Sequence, residues 1–488
     1  MNSLVTDTVF NWIDNNAVPA ADEKTFNKIN PATGEILCQV SRSSEKDASA
    51  AIASAKMAQP GWASTTPVRR AEILREISII MRNRQDDLAR IVHLETGKSI
   101  KDALGEVGAA IEQGFFMAGE GRRFYGKTTT SGMEERTAMT IRVPVGISVL
   151  IIAANTPIAN VAWKVFPALI CGNSAILKPS EDSPMVAWAF AQLAKEAGLP
   201  DGVLNIINGY GQEAGAPLVE NREVDLVSFT GCTATGRTIA QATSKRLAKV
   251  FLELGGKNPL VVCDDADLDN ACKWTILSAF SNAGQRCAAA SRIIIFDSVY
   301  DKFKDMLIKA AEKITVGIED SNDLGCVINE NQLNKMINAV AKSEREGAKV
   351  LIGGKRSIAA NNSGGYFMEP TLIENVSASA DISQKELFGP IATLYRVSGF
   401  DEAVDLANDS EYGLTSCIHT KNINMAIEFT RRMKSGVVNV NAGTYGSEPH
   451  MPFGGVKNSG NGLREPGTEA LDVYCEWKNI NINILPAK

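Results

Sequence analysis

Short apolar runs alternate with segments of helical pattern beyond residue 145. Five such runs follow one another along the chain: ISVLIIA, SAILK, GVLNII, DLVSFTG and KVFLEL. Because helical crossovers join parallel strands, this alternation predicts a parallel sheet covered on both faces, in the doubly wound arrangement. Ligands of such sheets collect beyond the carboxyl ends of the strands. The residues at those ends are the first candidates for a binding site: Asn155, Lys178, Glu181, Gly209, Gly211, Gly231, Glu253 and Gly255.

The rest of the chain is long enough for more than one domain. A length of 488 residues exceeds the size at which one hydrophobic core keeps growing, so two or three domains are expected. Residues 67–94 carry apolar side chains at helical spacing and predict one long amphipathic helix, with a further helix around 101–119. From about residue 256 we expect a second α/β unit that starts with a helix through 265–284. The strand RIIIF, a helix near 300–313 and further alternating elements follow it.

A hairpin and a terminal strand complete the expected elements. After residue 126, a Ser-Gly turn separates a Thr-rich segment from an alternating one, which predicts a hairpin. Near the end of the chain, Ile480, Ile482 and Ile484 alternate with asparagines, the period of a strand with one apolar face. Such a strand needs a partner edge, and the hairpin can provide it within the same subunit or from another one.

Composition and charge exclude several classes of protein. A net charge of -6 and an isoelectric point near 5.5 give no basic surface for nucleic acid or an anionic membrane. The most apolar region, from residue 145, is interrupted by Asn155, Pro157, Asn160 and Lys164, so we expect no membrane span. The nine cysteines form no CxxC pair and the N-terminus lacks a secretory pattern, which favours reduced thiols in the cytoplasm. With three histidines and no Cys/His cluster, no metal site is expected.

Two short segments suggest chemistry, each with a plainer alternative. In NAGQRCAAASR (282–292), Cys287 is followed by small residues that allow another molecule to approach, although a packing cysteine on a small-residue helix also fits. In FTGCTATG (229–236), glycines join a strand to a helix and let backbone N–H groups approach a phosphate. Gly231 and Gly236 can equally be turn and packing residues. KPSE (178–181) can likewise be a solvated surface pair.

Taken together, the motifs resemble the aldehyde dehydrogenase superfamily in order and spacing. The resemblance rests on NPATGE (30–35), ETGK (95–98), LELGGKNP (252–259), GQRC (284–287), ELFGP (386–390) and MPFGGVKNSGNG (451–462). It implies an α/β fold with a Rossmann-type doubly wound cofactor domain, a second α/β catalytic domain and a small β oligomerisation element. The resemblance implies that the cofactor domain comprises residues 1–124 and 145–254 and that the catalytic domain comprises residues 255–457. The oligomerisation element would comprise residues 125–144 and 470–488. A homodimer or homotetramer is the implied assembly.

The resemblance also implies catalytic roles that suit NAD(P)-dependent oxidation of an aldehyde. Cys287 matches the nucleophile that converts the flat carbonyl into a tetrahedral adduct able to release hydride. Asn155 matches the residue whose amide joins the Cys287 backbone N–H in stabilising the adduct oxygen. Glu253 matches the base that activates water for hydrolysis of the thioester. Its presence argues against relatives that transfer the acyl group to coenzyme A.

Further residues match the cofactor site of the family. Lys178 and Glu181 resemble the pair that binds the adenosine ribose, and the carboxylate would repel a 2'-phosphate, so NAD is the preferred cofactor and NADP the alternative. The other implied cofactor residues are Gly211, Gly231, Cys232, Leu254, Glu386 and Phe388. Two features depart from the family: Ala153, Ala154 and Thr156 replace larger side chains around Asn155, and position 232 is Cys instead of Ser, a weaker partner for phosphate.

The substrate site is implied by position alone. Its expected lining is Asn160, Trp163, Arg286, Ala288, Glu448, His450 and Phe453. Arg286, or Arg122 and Arg123, could bind a carboxylate, so a succinic or 2-oxoglutaric semialdehyde is the first hypothesis. A small aromatic or hydroxylated aldehyde is the second.

Two other classes of protein fit the sequence less well than the enzyme. A thiol hydrolase would need a histidine paired with Cys287, and none is evident in the sequence. A non-catalytic relative is disfavoured because Asn155, Glu253 and Cys287 are all present.

Overall fold

The computed structural model describes residues 4–357 and 364–484. Residues 8–119 form β1 (Thr8–Val9), β2 (Asn11–Ile13), β3 (Asn16–Val18), β4 (Thr25–Ile29), β5 (Ile36–Ser41), α1 (Glu45–Ser64), α2 (Pro67–Asn83), α3 (Gln85–Thr96) and α4 (Ile100–Gly119). Residues 127–253 form β6 (Lys127–Thr129), β7 (Arg136–Pro144), β8 (Ile147–Ile151), α5 (Pro157–Ile170), β9 (Ser174–Lys178), α6 (Met185–Glu196), β10 (Leu204–Ile206), α7 (Ala216–Glu220), β11 (Leu226–Thr230), α8 (Thr233–Ser244) and β12 (Lys249–Glu253).

The second half of the chain continues the alternation of strands and helices. Residues 258–345 form β13 (Asn258–Val262), α9 (Leu268–Phe280), β14 (Ala290–Phe296), α10 (Asp297–Ala311) and α11 (Glu330–Arg345). Residues 349–483 form β15 (Lys349–Ile352), β16 (Thr371–Glu374), α12 (Asp381–Gln384), β17 (Ile391–Val397), α13 (Phe400–Asn408), β18 (Tyr412–Gly413), β19 (Thr415–His419), α14 (Ile423–Arg432), β20 (Val437–Val440), β21 (Val456–Lys457), α15 (Ala470–Tyr474) and β22 (Cys475–Asn483).

The first large sheet contains all five apolar runs that the sequence predicts as strands. Its order is β12-β11-β8-β9-β10-β2-β3, in which β12 to β10 are parallel and β2 and β3 are antiparallel additions at one edge. The chain leaves β8 towards β9 and β10 on one side and returns to β11 and β12 on the other. This change of direction creates a crevice between the carboxyl ends of β8 and β11, where doubly wound sheets bind their ligands. The predicted α/β fold class is confirmed.

The second large sheet has the order β15-β16-β17-β14-β13-β19-β20, parallel except for β15. One prediction about its start is wrong, because the strand β13 precedes the expected helix. Every residue of β13 is buried, since this strand lies between β14 and β19 in the middle of the sheet. The expected helix is α9, and β14 and α10 follow as predicted.

The single helix predicted over 67–94 is divided into α2 and α3. The helical geometry is interrupted at Arg84, whose φ is -113° and ψ is 21°. The Arg84 side chain donates to Asp87 Oδ2 at 2.7 Å, and Asp86 and Asp87 lie in the first turn of α3, where negative charge is favourable. The interruption lets both helices pack against α4. Apolar periodicity continues through the break, so the sequence pattern did not reveal it.

A small antiparallel sheet joins the predicted hairpin to the end of the chain. Its order is β22-β7-β6, with Cys475 opposite Pro144 and Asn483 opposite Arg136. The terminal strand therefore pairs with the hairpin of the same subunit. Residues 485–488 of the expected oligomerisation segment lie outside the described residues.

The described residues were also searched for a membrane span and a metal cluster. No helix in residues 4–357 or 364–484 has the length and apolarity needed to cross a membrane. In the same ranges, no group of three or more His, Cys, Asp or Glu side chains could hold a metal ion.

Candidate active site

A cleft of about 480 Å³ opens at the crevice of the first sheet and is bounded on its other side by α11 and loops from the second half of the chain. The residues that line it are Ala153, Asn155, Thr156, Ala159, Asn160, Trp163, Thr230, Gly231, Cys232, Glu253, Leu254, Gly255, Cys287, Ile328, Gln332, Lys335, Glu386, Leu387, Phe388 and Phe453. The three predicted catalytic residues, Asn155, Glu253 and Cys287, lie together in this cleft. Asn155 follows β8, Glu253 ends β12, and Cys287 comes from the segment between α9 and β14.

The segment before Cys287 adopts an unusual backbone conformation. Asn282, Ala283 and Gly284 have φ values of 54°, 51° and 66°, so three successive residues lie in the left-handed region. A non-glycine residue in a sparsely populated region costs about 1–3 kcal/mol and persists only where surrounding contacts hold it. Here the Asn282 amide donates to the carbonyl of Gln285 at 3.2 Å. This turn follows α9 and leads the chain to Cys287, which lines the cleft.

Two amide side chains hold the backbone around the nucleophile. Asn155 Nδ2 donates to the carbonyl of Gln285 at 2.9 Å, which fixes the plane of the Asn155 amide. Asn258 Nδ2 donates to the carbonyl of Cys287 at 2.7 Å. Because a primary amide has two N–H groups, the second N–H of Asn155 is available to an oxyanion formed beside Cys287.

The environment of Cys287 favours the protonated thiol. Burial raises the pKa of the Cys287 thiol to about 12, and the negative charges of Glu253 and Glu386 add to this effect. The backbone N–H of Ala288 and the cation of Arg286 act in the opposite direction. To act as a nucleophile at neutral pH, Cys287 would need a nearby base to take its proton.

Glu253 has the properties of that base. Burial is the first cause that raises the pKa of its carboxyl well above the ordinary value, and the charge of Glu465 is the second. The Glu253 side chain is buried, and Oε1 has no hydrogen-bond partner among the described residues. A carboxylate of raised pKa with a free oxygen is suited to accept a proton from a thiol or a water molecule.

A buried polar cluster lies behind Glu253. Lys164 Nζ is 3.0 Å from Glu465 Oε2 and donates to Ser228 Oγ at 2.7 Å. Tyr474 donates its hydroxyl to Glu465 Oε1 at 2.6 Å. The cation and the anion act on Glu253 in opposite directions, since Lys164 lowers the pKa of Glu253 and Glu465 raises it. The sequence analysis did not identify this cluster, because its members come from distant segments.

The predicted phosphate site is the N-terminus of α8. Cys232 is the residue before this helix, is exposed, and gives no side-chain hydrogen bond to the helix backbone. Its sulfur instead lies 3.2 Å from the hydroxyl of Thr235. The first N–H groups of α8 are consequently uncapped by Cys232 and can face an anion, with Gly231 and Leu254 in the cleft wall beside them.

The residues predicted to bind the adenosine ribose lie along the edge of the same sheet. Lys178 is buried at the end of β9, and its ammonium lies 3.6 Å from the partly exposed Glu181 carboxylate. Gly211 opens the turn 211–215 beyond β10. These three residues are not part of the cleft lining but follow the carboxyl edge of the same sheet.

Glu386 and Phe388 enter the cleft from the second half of the chain. Glu386 Oε1 accepts from the N–H of Gly256 at 2.9 Å, and burial raises the pKa of the Glu386 carboxyl to about 7. A carboxylate held in this way can accept hydrogen bonds from a sugar. Gln332 and Lys335 on α11 also line the cleft and were missed, because no local motif distinguishes them on that helix.

The wall nearest Cys287 is largely aromatic and aliphatic. Trp163 and Phe453 have ring centroids 5.5 Å apart, and both pack with Ala288 and Tyr445 in the cluster that includes Cys287. Asn160 lines the same wall, where its amide nitrogen donates to the carbonyl and the hydroxyl of Thr156.

Other predicted substrate residues lie elsewhere. Arg286 pairs with Asp102 at 3.2 Å, stacks over the Tyr445 ring at 4.9 Å, and does not line the cleft. Glu448 and His450 are exposed, 3.8 Å apart, and outside the lining. The carboxylate-binding alternatives are also absent from the lining: Arg123 pairs with Glu120, and Arg122 lies in the short helical turn 120–122.

A thiol, a carboxylate and an amide gathered at a dinucleotide crevice define the chemistry of aldehyde oxidation. The model of the aldehyde dehydrogenase family matches residues 18–480. The chain therefore belongs to the aldehyde dehydrogenase family and is an NAD(P)-dependent oxidoreductase, which confirms the resemblance seen in the sequence.

Relatives and solved structures support this membership over the whole length. The chain is 35% identical to alpha-ketoglutaric semialdehyde dehydrogenase of Bacillus subtilis, covering 98% of this chain and 99% of that protein. It is 36% identical to the NADP+-dependent succinate-semialdehyde dehydrogenase GabD of Escherichia coli, covering 97% and 96%. A crystal structure of betaine aldehyde dehydrogenase from Staphylococcus aureus with NAD+ superposes with a TM-score of 0.95 at 34% identity, covering 98% and 95%.

Proposed function

We propose that this protein oxidises an uncharged aldehyde to the carboxylic acid, with NAD as the preferred cofactor and Cys287 as the nucleophile. The observation that carries the proposal is the meeting of Cys287, Glu253 and Asn155 in one cleft at the crevice of the nucleotide sheet. The Cys287 sulfur adds to the aldehyde carbon, and the Asn155 amide donates to the oxygen that becomes negative. The bound nicotinamide cofactor supplies the hydride acceptor. The Cys287 thioester that remains is then hydrolysed.

Glu253 acts in two proton transfers in this scheme. It first accepts the proton of the Cys287 thiol, which lines the same cleft, and releases that proton to solvent before the hydrolysis step. It later accepts a proton from the water that attacks the thioester carbon, while the Cys287 thiolate leaves. Burial keeps water around Glu253 scarce and raises its proton affinity, so the carboxylate is a stronger base than an exposed glutamate.

The raised pKa of Glu253 predicts the pH dependence of turnover. The base works only when deprotonated, so kcat should be low at pH values below the Glu253 pKa and should increase as the pH rises through it. That pKa should lie well above the pKa of an ordinary glutamate. The measurement is the steady-state kcat from neutral to alkaline pH at saturating aldehyde and NAD. The Glu386 carboxyl also has a raised pKa, so Glu386→Gln is the control. The decrease of kcat at low pH should persist in this variant. A decrease that disappears in this variant contradicts the assignment to Glu253.

The pair Lys178 and Glu181 supports the preference for NAD. The Glu181 carboxylate lies beside the buried ammonium that would bind the ribose, and a 2'-phosphate there would meet a negative charge. Glu181→Gln should increase kcat/KM with NADP by roughly tenfold, an energy of about 1.4 kcal/mol, and change kcat/KM with NAD much less. Initial rates with both cofactors test this. Equal effects on both cofactors would contradict it.

The substrate preference is proposed from the wall beside Cys287. Among the described residues that line the cleft, Trp163 and Phe453 offer ring surfaces, and no arginine is present to bind a carboxylate. The lysine in this lining, Lys335, lies on α11 with Gln332, whose Nε2 donates to the carbonyl of Leu387 at 3.0 Å. A small aromatic aldehyde, with or without a hydroxyl group, fits these surfaces.

A carboxylate-bearing semialdehyde is the second candidate. It is supported by the names of the Bacillus subtilis and Escherichia coli relatives. The cation that the sequence predicted for this role, Arg286, would have to leave Asp102 to bind the substrate.

A panel of aldehydes separates the two candidates. We expect kcat/KM for benzaldehyde to exceed kcat/KM for succinic semialdehyde, and Arg286→Met to change the benzaldehyde value less than about threefold, as for a contact outside the substrate path. NADH formation at 340 nm is the measurement. A preference for succinic semialdehyde that Arg286→Met removes would establish the second candidate instead.

Assembly and compartment are proposed from the surface and the thiols. The three-stranded sheet leaves Ile141, Trp477 and Ile482 at 38%, 43% and 48% exposure, and β22 forms its edge. Exposed apolar side chains beside an open strand favour association, so we propose a homodimer or homotetramer formed through residues 125–144 and 470–488. The nine cysteines are unpaired, which suits a reducing compartment such as the cytoplasm.

A further inference from the structure

A buried ion pair lies directly behind the segment that carries Asn155. Lys98 and Glu106 have side chains that are 2% and 4% exposed, and Lys98 Nζ is 2.5 Å from Glu106 Oε2. Lys98 belongs to the ETGK motif just beyond the end of α3, and Glu106 lies on α4. Neither residue lines the cleft, and neither has a role in the scheme above.

The two partners contact opposite ends of the connection between β8 and α5. Lys98 Nζ donates to the backbone carbonyl of Asn155 at 2.6 Å. Glu106 Oε1 accepts from the N–H groups of Ile158 and Ala159, at 2.9 and 3.3 Å, in the first turn of α5. The residue before α5, Thr156, gives no side-chain hydrogen bond to the helix, so Glu106 occupies the position of the missing cap.

We propose that Lys98, held by Glu106, is a positioning residue that fixes Asn155 so that its amide points at the oxyanion. This inference rests on the proposed role of Asn155. An ammonium that donates to a carbonyl in a dry site forms a strong and directional bond. The Asn155 backbone is thereby fixed from one side, and its side chain is fixed from the other by the carbonyl of Gln285.

Energetic considerations favour positioning over stabilisation. A buried ion pair gives little net stability compared with apolar residues of the same volume, because both charges lose their hydration. Lys98 and Glu106 are buried despite this cost, and Lys98 bonds to the backbone of Asn155. A misplacement of about 1 Å in a catalytic group can reduce the rate by roughly 10²-fold, so a rigid support of this kind has a measurable consequence.

The test compares two reactions of Cys287. p-Nitrophenyl acetate acylates the thiolate through a tetrahedral oxyanion, whereas iodoacetamide alkylates it at a saturated carbon without one. Lys98→Met should slow acylation by p-nitrophenyl acetate and kcat for aldehyde oxidation by roughly 10²-fold, and leave alkylation by iodoacetamide near the wild-type rate. Because Lys98→Met leaves Glu106 unpaired, Lys98→Met/Glu106→Gln is the second variant. The side-chain carbonyl of the introduced glutamine can still cap α5 in that double variant.

A matched control measures the general effect of losing a buried cation. Arg70 is buried and donates to the carbonyl of Ile170 at 2.9 Å, away from the cleft. Arg70→Met should lower the melting temperature without changing the ratio of acylation to alkylation rates. A Lys98→Met enzyme that behaves like Arg70→Met, with both rates reduced in proportion to folded protein, would overturn the positioning role.

A double-mutant cycle separates this inference from the proposed function. If Lys98 acts through Asn155, then Lys98→Met/Asn155→Ala should have the same acylation rate as Asn155→Ala alone. A large loss in Asn155→Ala with a normal rate in Lys98→Met overturns the inference and leaves the oxyanion role intact. A normal rate in Asn155→Ala removes the oxyanion role and the inference with it.

Discussion

Cys287→Ser should abolish NADH formation with every aldehyde, with a loss of at least about 10⁴-fold in kcat. A serine hydroxyl is a far weaker nucleophile than a thiol, and no histidine is among the described residues that line the cleft to activate it. The variant should retain its affinity for NAD, because the proposed scheme gives Cys287 a contact with the aldehyde and none with the ribose or phosphates of the cofactor. Initial rates measure the loss, and quenching of protein fluorescence by NADH measures the affinity.

Cys272→Ser is the matched control for this experiment. Cys272 is another unpaired thiol, it lies on α9 ahead of the nucleophile, and it packs in the core of the second sheet. We expect its turnover to remain within about twofold of the original enzyme, as for a conservative change outside the site. Substantial activity in Cys287→Ser would show that another group attacks the aldehyde, and the proposed chemistry would fail.

The fold could be predicted where short, continuous apolar runs are separated by helical segments. All five strands from β8 to β12 were predicted, because buried parallel strands are apolar on both faces. The strand β13 was missed although it is equally buried, since it follows the LELGG motif without a helix between them. The break at Arg84 was missed for a different reason: no proline or glycine marks it.

The three candidate catalytic residues could be brought to one cleft from the sequence because each is placed by its own stretch of chain. Asn155 and Glu253 stand at strand ends, and Cys287 lies among small residues. Their supporting residues could not be found in this way. Lys98 bonds to Asn155, which is 57 residues further along the chain, and Glu465 belongs to the cluster with Lys164. Such contacts exist only after the helices pack.

Arg286 illustrates how sequence proximity to a nucleophile misleads. It precedes Cys287 directly, so a role in the substrate site was expected. The left-handed turn over residues 282–284 sets the direction of the chain here, and the Arg286 side chain is held by Asp102 and Tyr445. The sequence shows that an arginine precedes Cys287, but the backbone conformation determines which residues its side chain contacts.

Glu253→Gln should separate the oxidation step from the hydrolysis step. The amide of glutamine cannot accept a proton from water, so release of the acid should fall by roughly 10²- to 10⁴-fold. Oxidation can still occur once per site if the thiolate is supplied, for example at alkaline pH where less help is needed to deprotonate Cys287. Rapid mixing with aldehyde and NAD should therefore show a burst that approaches one NADH per active site, followed by very slow turnover.

The intermediate itself provides the deciding measurement. Intact-mass analysis after the burst should find the acyl group on the protein, and proteolytic mapping should place it on Cys287. Asn155→Ala differs in kind, because it should slow the burst as well as the turnover by weakening the first addition. A Glu253→Gln enzyme that turns over steadily without a burst or acyl adduct would show that the rate-limiting proton transfer belongs to another group, and Glu465, the second cause of the raised Glu253 pKa, would be the next to test.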